Sequence, residues 1–69
     1  MITGPRLLEA RLSINLAPTK LARRAKVPLS VVRRAERSPS EPEITSSQLN
    51  ALVEALRSAG ASFPPDDPS

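Results

Sequence analysis

Residues 16–36 read LAPTKLARRAKVPLSVVRRAE, and this stretch decides the fold that the sequence predicts. Pro18 suits the first position of a helix, where its missing N–H costs nothing. The spacing of Leu21, Ala22 and Ala25 then predicts one inward face, with cationic side chains outside. Ala17 offers no side-chain acceptor, so we expect this helix to begin without a side-chain cap.

A second short helix follows after a tight joint. Val27-Pro28 ends the first helix, because proline disfavours the α conformation in the residue before it. The pattern then predicts a helix from about Leu29 to Arg37, with Val32 and Ala35 on its buried side. The exposed side is expected to hold Leu29, Ser30, Arg33, Arg34 and Arg37. The joint has the length of a helix-turn-helix connection.

The segment before this pair predicts another helix. Thr3 is a plausible N-cap, with Pro5 in the first turn. Apolar or inward positions recur at helical spacing, and they are Leu7, Ala10, Arg11 and Ile14. Asn15 is expected to end this helix, because Asn tolerates the left-handed conformation better than most residues.

The segment after the pair predicts a loop over residues 38–43 and then a fourth helix. Residues 45–48 fit a capping box, with Ile44 and Leu49 as a hydrophobic staple. The apolar stripe of the helix comprises Leu49, Leu52, Val53 and Leu56, and Gly60 fits the position after its end. We therefore expect an all-α, compact four-helix domain over residues 1–63, with Phe63 docking on the core. Residues 64–69 are expected to be a disordered acidic and proline-rich tail.

Composition excludes several function classes. The chain has 69 residues, no Cys and no His, so disulfides and the usual zinc ligands are absent from the sequence. We expect no metal site, no cofactor and no enzyme, since the commonest general base and nucleophile pair are missing. No apolar run is long enough to span a bilayer and no signal peptide opens the chain, so we expect no membrane partner and a cytoplasmic protein.

Charge is divided unevenly along the chain. Residues 1–37 hold nine of the ten Lys and Arg residues, for a net charge of +7, whereas residues 38–69 have a net charge of −4. Seven of those nine cations lie between Lys20 and Arg37. Such a concentration favours nucleic acid or another anionic surface as the partner.

Residues 16–36 resemble the helix-turn-helix family of Cro and the phage repressors (the XRE type). Its usual pattern is close to LSQxxLAxxAGVSxxTVSRxE, and this chain shares the Leu-Ala-x-x-Ala run, the turn Val27 and the final Glu36. The resemblance extends over about 60 residues as one compact domain of ordinary size. It implies a lambda-repressor-like fold and an ion pair between Arg11 and Glu36 that fixes the first helix to the third.

The chain departs from the family pattern at four places. Pro18 replaces the Gln that opens the second helix, Lys26 replaces the turn Gly, and Pro28 replaces the usual Ser cap. The loop after the third helix, often basic in the family, carries Glu41 and Glu43. These changes weaken the inference that this chain makes the family's phosphate contacts from that loop and from the start of the second helix.

The resemblance and the charge together predict a sequence-specific regulator that binds double-stranded DNA. The third helix would lie in the major groove. The residues expected to read bases are Leu29, Ser30, Val31, Arg33 and Arg34, with Leu29 and Val31 alternatively serving as core or boundary residues. The residues expected to contact phosphate are Pro18, Thr19, Lys20, Arg23, Lys26 and Arg37.

One small module reads few base pairs, so we expect a homodimer on an inverted repeat. Repression is the expected mode for this bacterial or phage type of regulator, with an activator that also contacts RNA polymerase as the other possibility. The alternative class is a protein-interaction adaptor with the same fold, either antitoxin-like or polymerase-binding.

Overall fold

The computed structural model describes residues 2–61, which form four α-helices and no strand. The helices are α1 (Gly4–Ser13), α2 (Pro18–Ala25), α3 (Leu29–Arg37) and α4 (Ser46–Ser58). The predicted compact all-helical fold is therefore confirmed. No helix in this part of the chain is long and apolar enough to cross a membrane. Phe63 and the predicted tail at 64–69 lie outside the described residues.

The N-termini of α1 and α4 are capped by threonine side chains. Thr3 Oγ1 accepts a hydrogen bond from the Arg6 N–H at 3.3 Å. Thr45 Oγ1 accepts from the Gln48 N–H at 3.1 Å, and the Thr45 N–H donates to Gln48 Oε1 at 3.0 Å. The second arrangement is a complete capping box, which satisfies two backbone donors that a helix start leaves without partners.

Three helix C-termini end on a left-handed residue. The φ angles are 52° at Asn15, 58° at Lys26 and 104° at Gly60. In each case the next residue donates its N–H to a carbonyl five positions back, giving the pairs Leu16 to Arg11, Val27 to Ala22 and Ala61 to Leu56. This is the Schellman pattern, which satisfies carbonyls at a helix end and turns the chain sharply. Glycine adopts this conformation freely, whereas at Lys26 it costs about 1–2 kcal/mol.

The core lies among all four helices. Its five largest fully buried side chains are Leu7, Leu21, Val32, Leu52 and Leu56. Helix α2 packs on α4 and on α3, and α1 packs on α3. Burial of each such side chain contributes about 1.5–3 kcal/mol relative to exposure, so these contacts are the main force that places the short helices.

An ion pair joins α1 to the end of α3. Arg11 Nε donates to Glu36 Oε2 at 2.6 Å and Nη2 donates to Oε1 at 3.1 Å. Arg11 Nη1 also donates to the Leu16 carbonyl at 2.8 Å. The two side chains are only 11% and 12% exposed. One guanidinium thus holds together α1, the α1–α2 connection and α3.

Gly4 allows the start of α1 to approach the end of α3 closely. A Cβ at Gly4 would lie 2.0 Å from the Ser38 carbonyl oxygen and 2.5 Å from that of Ala35. The Gly4 N–H also donates to the Ser40 carbonyl at 3.0 Å. Any side chain at position 4 would therefore push α1 away from α3 and from the loop that follows it.

Replacing Glu36 with Gln should lower the free energy of unfolding by about 2–4 kcal/mol, because Arg11 would keep its charge in a mostly buried site. Urea unfolding followed by circular dichroism measures this loss. The matched control is Glu9→Gln on the exposed side of α1, which should change stability by less than about 0.5 kcal/mol. Equal effects of the two substitutions would contradict a structural role for the ion pair.

Gly4→Ala should also destabilise the fold, by about 1–3 kcal/mol, because the added methyl group overlaps two backbone carbonyl oxygens that cannot rotate away. Helix propensity alone would give the opposite sign, a gain of up to about 1 kcal/mol. Thermal unfolding therefore decides between close packing and propensity at this position. A Gly4→Ala variant as stable as the parent, or more stable, would show that the approach of α1 to α3 is not tight in solution.

Candidate nucleic-acid interface

Helix α3 divides into a buried side and a cationic exposed side. Val32 and Ala35 are fully buried, with 0% exposure, and fix the inner side. The outer side carries a stripe of exposed residues at helical spacing, namely Ser30, Arg33, Arg34 and Arg37. Packing of the small inner residues thus orients the arginines toward solvent.

Helix α2 contributes a second set of exposed polar residues. Thr19, Lys20 and Arg23 are exposed on α2, and Lys26 is exposed at its end, whereas Pro18 is partly buried. Helices α2 and α3 pack against each other and are separated by residues 26–28 alone. The residues of α2 that are expected to contact phosphate therefore lie on a helix that packs beside α3, which carries the exposed arginines.

A cavity of about 500 Å³ lies beside α3 and is called here the arginine cavity. Its walls are Ser30, Arg33, Arg34, Arg37, Ser38, Pro39 and Glu43. It brings together the expected base-reading residues Ser30, Arg33 and Arg34 with the expected phosphate-contacting Arg37. The α2 cations do not line it.

The arginines of this cavity share it with one carboxylate, that of Glu43, but form no ion pair with it. Within residues 2–61, Arg33, Arg34 and Arg37 form no ion pair with an acidic side chain. A planar guanidinium offers donors in a fork that matches phosphate oxygens or the acceptor edge of guanine. The cavity can therefore bind an anion or read an acceptor-rich base edge.

Leu29 and Val31 are not on the exposed side. Both are half-buried and pack against the core, so the prediction that Leu29 faces outward is wrong. The reason is helical spacing: Leu29 precedes the buried Val32 by three residues, and Val31 precedes Ala35 by four. Their role as boundary residues of the core, the alternative left open by the sequence, accounts for this packing.

Ser38 is a buried residue that sequence reasoning assigned only to a loop. It is 4% exposed. Its Oγ donates to the Arg34 carbonyl at 2.9 Å and accepts from the Glu43 N–H at 3.1 Å. The hydroxyl thus fastens the loop to the last turn of α3. Its only sequence signal is a hydroxyl residue placed directly after a helix, which composition alone does not distinguish from an ordinary loop residue.

A second cavity, of about 350 Å³, lies where the end of α2 meets α4. Arg24 lines it together with Glu54 and Ser58 of α4. Arg24 is thus associated with α4 and not with the arginine cavity. In the described part of the chain no group of three or more acidic, Cys or His side chains is arranged to hold a metal ion.

No family model matches the sequence, and neither a curated protein nor a solved structure matches it.

Proposed function

We propose that this chain is a sequence-specific, double-stranded-DNA-binding transcriptional regulator in which α2 and α3 act as a helix-turn-helix of the lambda-repressor type. Helix α3 enters the major groove, while α2 crosses the sugar–phosphate backbone. The observation that carries the proposal is the exposed stripe of arginines without carboxylate partners on α3, held outward by the buried Val32 and Ala35.

The exposed residues divide into two roles. Arg34 is the best candidate for a bidentate contact to guanine, with Arg33 and Ser30 beside it. The phosphate contacts that do not depend on sequence come from four cations, Lys20, Arg23, Lys26 and Arg37.

The remaining predicted residues have smaller roles. Pro18 and Thr19 form the first turn of α2, where free backbone N–H groups and the positive end of the helix dipole favour a phosphate. Leu29 and Val31, being half-buried, contribute to base reading only where their exposed atoms reach a thymine methyl group.

A module of this size contacts few base pairs, so the working form is a homodimer on an inverted repeat, acting as a repressor by occupying its site. Contact with RNA polymerase would convert the same module into an activator.

The first test is a salt titration of binding to duplexes selected from a randomised library. About five or six phosphate contacts predict a slope near −5 in a plot of log affinity against log salt. Fluorescence anisotropy over a range of salt concentrations measures the slope. Negligible duplex affinity even at low salt would overturn the proposal and favour a protein-interaction adaptor.

Arg34→Ala and Lys20→Ala should then have different effects on the selected duplex and on a scrambled one. Loss of the base contact by Arg34→Ala should cost about 1–3 kcal/mol on the selected duplex and relax discrimination at one base pair. Lys20→Ala should weaken both duplexes about equally, because a phosphate contact carries no sequence information. Identical behaviour of the two variants would contradict the division of roles between α2 and α3.

A further inference from the structure

The arginine cavity contains one acidic residue that the proposed DNA contacts do not use. Glu43 lines the cavity with Arg33, Arg34 and Arg37, and its side chain is exposed. No ion pair joins it to these arginines within residues 2–61. A carboxylate and three guanidinium groups therefore share one solvated space without direct neutralisation.

The position of Glu43 is fixed by its backbone. The Glu43 N–H donates to Ser38 Oγ at 3.1 Å, and the same hydroxyl donates to the Arg34 carbonyl at 2.9 Å. On the other side of the loop, the Gly4 N–H donates to the Ser40 carbonyl at 3.0 Å. The loop is thus held at both α1 and α3, so the backbone of Glu43 stays in place and keeps its side chain within reach of the arginine cavity that it lines.

A phosphate that enters the arginine cavity meets this carboxylate as well as the guanidinium groups. Two like charges a few ångströms apart repel each other, and the repulsion grows as water is displaced between them. The penalty is largest when the arginines hold phosphate inside the cavity, as in a complex that depends on backbone contacts alone. It is smaller when Arg33 and Arg34 extend out of the cavity to base edges.

We propose that Glu43 is a specificity-determining residue whose carboxylate penalises phosphate binding in the arginine cavity and so disfavours complexes without base contacts. This inference rests on the proposed DNA-binding function. It assigns to an acidic residue the suppression of non-specific affinity, which matters because the ratio of specific to non-specific binding decides site occupancy.

The chain offers a matched control for this role. Glu41 has the same charge, lies in the same loop and is also exposed, but it does not line the arginine cavity. Glutamine at either position removes one negative charge at nearly constant shape. The Ser38 contact uses the backbone of residue 43, so Glu43→Gln leaves the loop attachment in place.

The experiment compares Glu43→Gln and Glu41→Gln on a duplex selected from a randomised library and on a scrambled duplex. Glu43→Gln should tighten binding to the scrambled duplex by about three- to tenfold, with a smaller change on the selected one. Glu41→Gln should shift both duplexes equally and by less, because its charge acts only at long range through solvent. Circular dichroism melts of both variants confirm that the fold is retained.

A double substitution tests the location of the effect. If Glu43 acts on phosphate bound by the cavity, its gain should fall to less than half in an Arg37→Gln background, because one binding group is already gone. Equal effects of the two glutamine variants, or an equal shift on selected and scrambled duplexes, would overturn the inference while leaving DNA binding intact. A parent chain that binds no duplex would instead overturn the proposed function, and the inference with it.

Discussion

Apolar burial supplies most of the packing energy but has no direction, so the way in which α3 meets α1 depends on the contact between Arg11 and Glu36. Three donors of one guanidinium are used, two by Glu36 and one by the Leu16 carbonyl. The joined segments are α1, its connection to α2, and the last turn of α3. Because the pair is nearly buried, either partner alone would leave a charge without compensation. The pair therefore sets which end of α3 meets α1, in addition to its effect on stability.

Helix α3 needs this support because it has little stability of its own. It has nine residues and no side-chain cap at its start, whereas isolated helices shorter than about 12–15 residues are marginal in water. Its buried side chains, Val32 and Ala35, are small, so they reach the rest of the core only where α3 lies close to its neighbours. Glu36 and the Ser38 hydroxyl then fix its final turns from two directions. The exposed arginines of α3 take no part in these contacts.

Local signals account for what the sequence predicted well. The capping box at Thr45, the left-handed residue at Asn15 and the terminal Gly60 each depend on neighbours within a few positions. The bounds of α2 and α3 likewise follow from proline and helical spacing. Ser38 and Gly4 could not be predicted in the same way, since their roles arise from contacts between segments distant along the chain. Leu29 was misplaced for a different reason. The cationic pattern around it suggested an outward side, although its spacing from Val32 already indicated the inner one.

The charges on α3 are present at a cost to the helix. Arg33 and Arg37 are four residues apart and Arg34 and Arg37 three apart, so like charges repel along one side by about 0.2–0.5 kcal/mol per pair. The helix dipole offsets part of this repulsion, because Arg34 and Arg37 lie in the last turn. No ion pair within residues 2–61 offsets the rest of this repulsion, although Glu43 lines the same cavity. Without an ion pair, these arginines do not stabilise the helix electrostatically. They become stabilised when an anion from outside the domain binds to them. This cost to the helix is why we propose that the arginines of α3 serve ligand binding and not the stability of the fold.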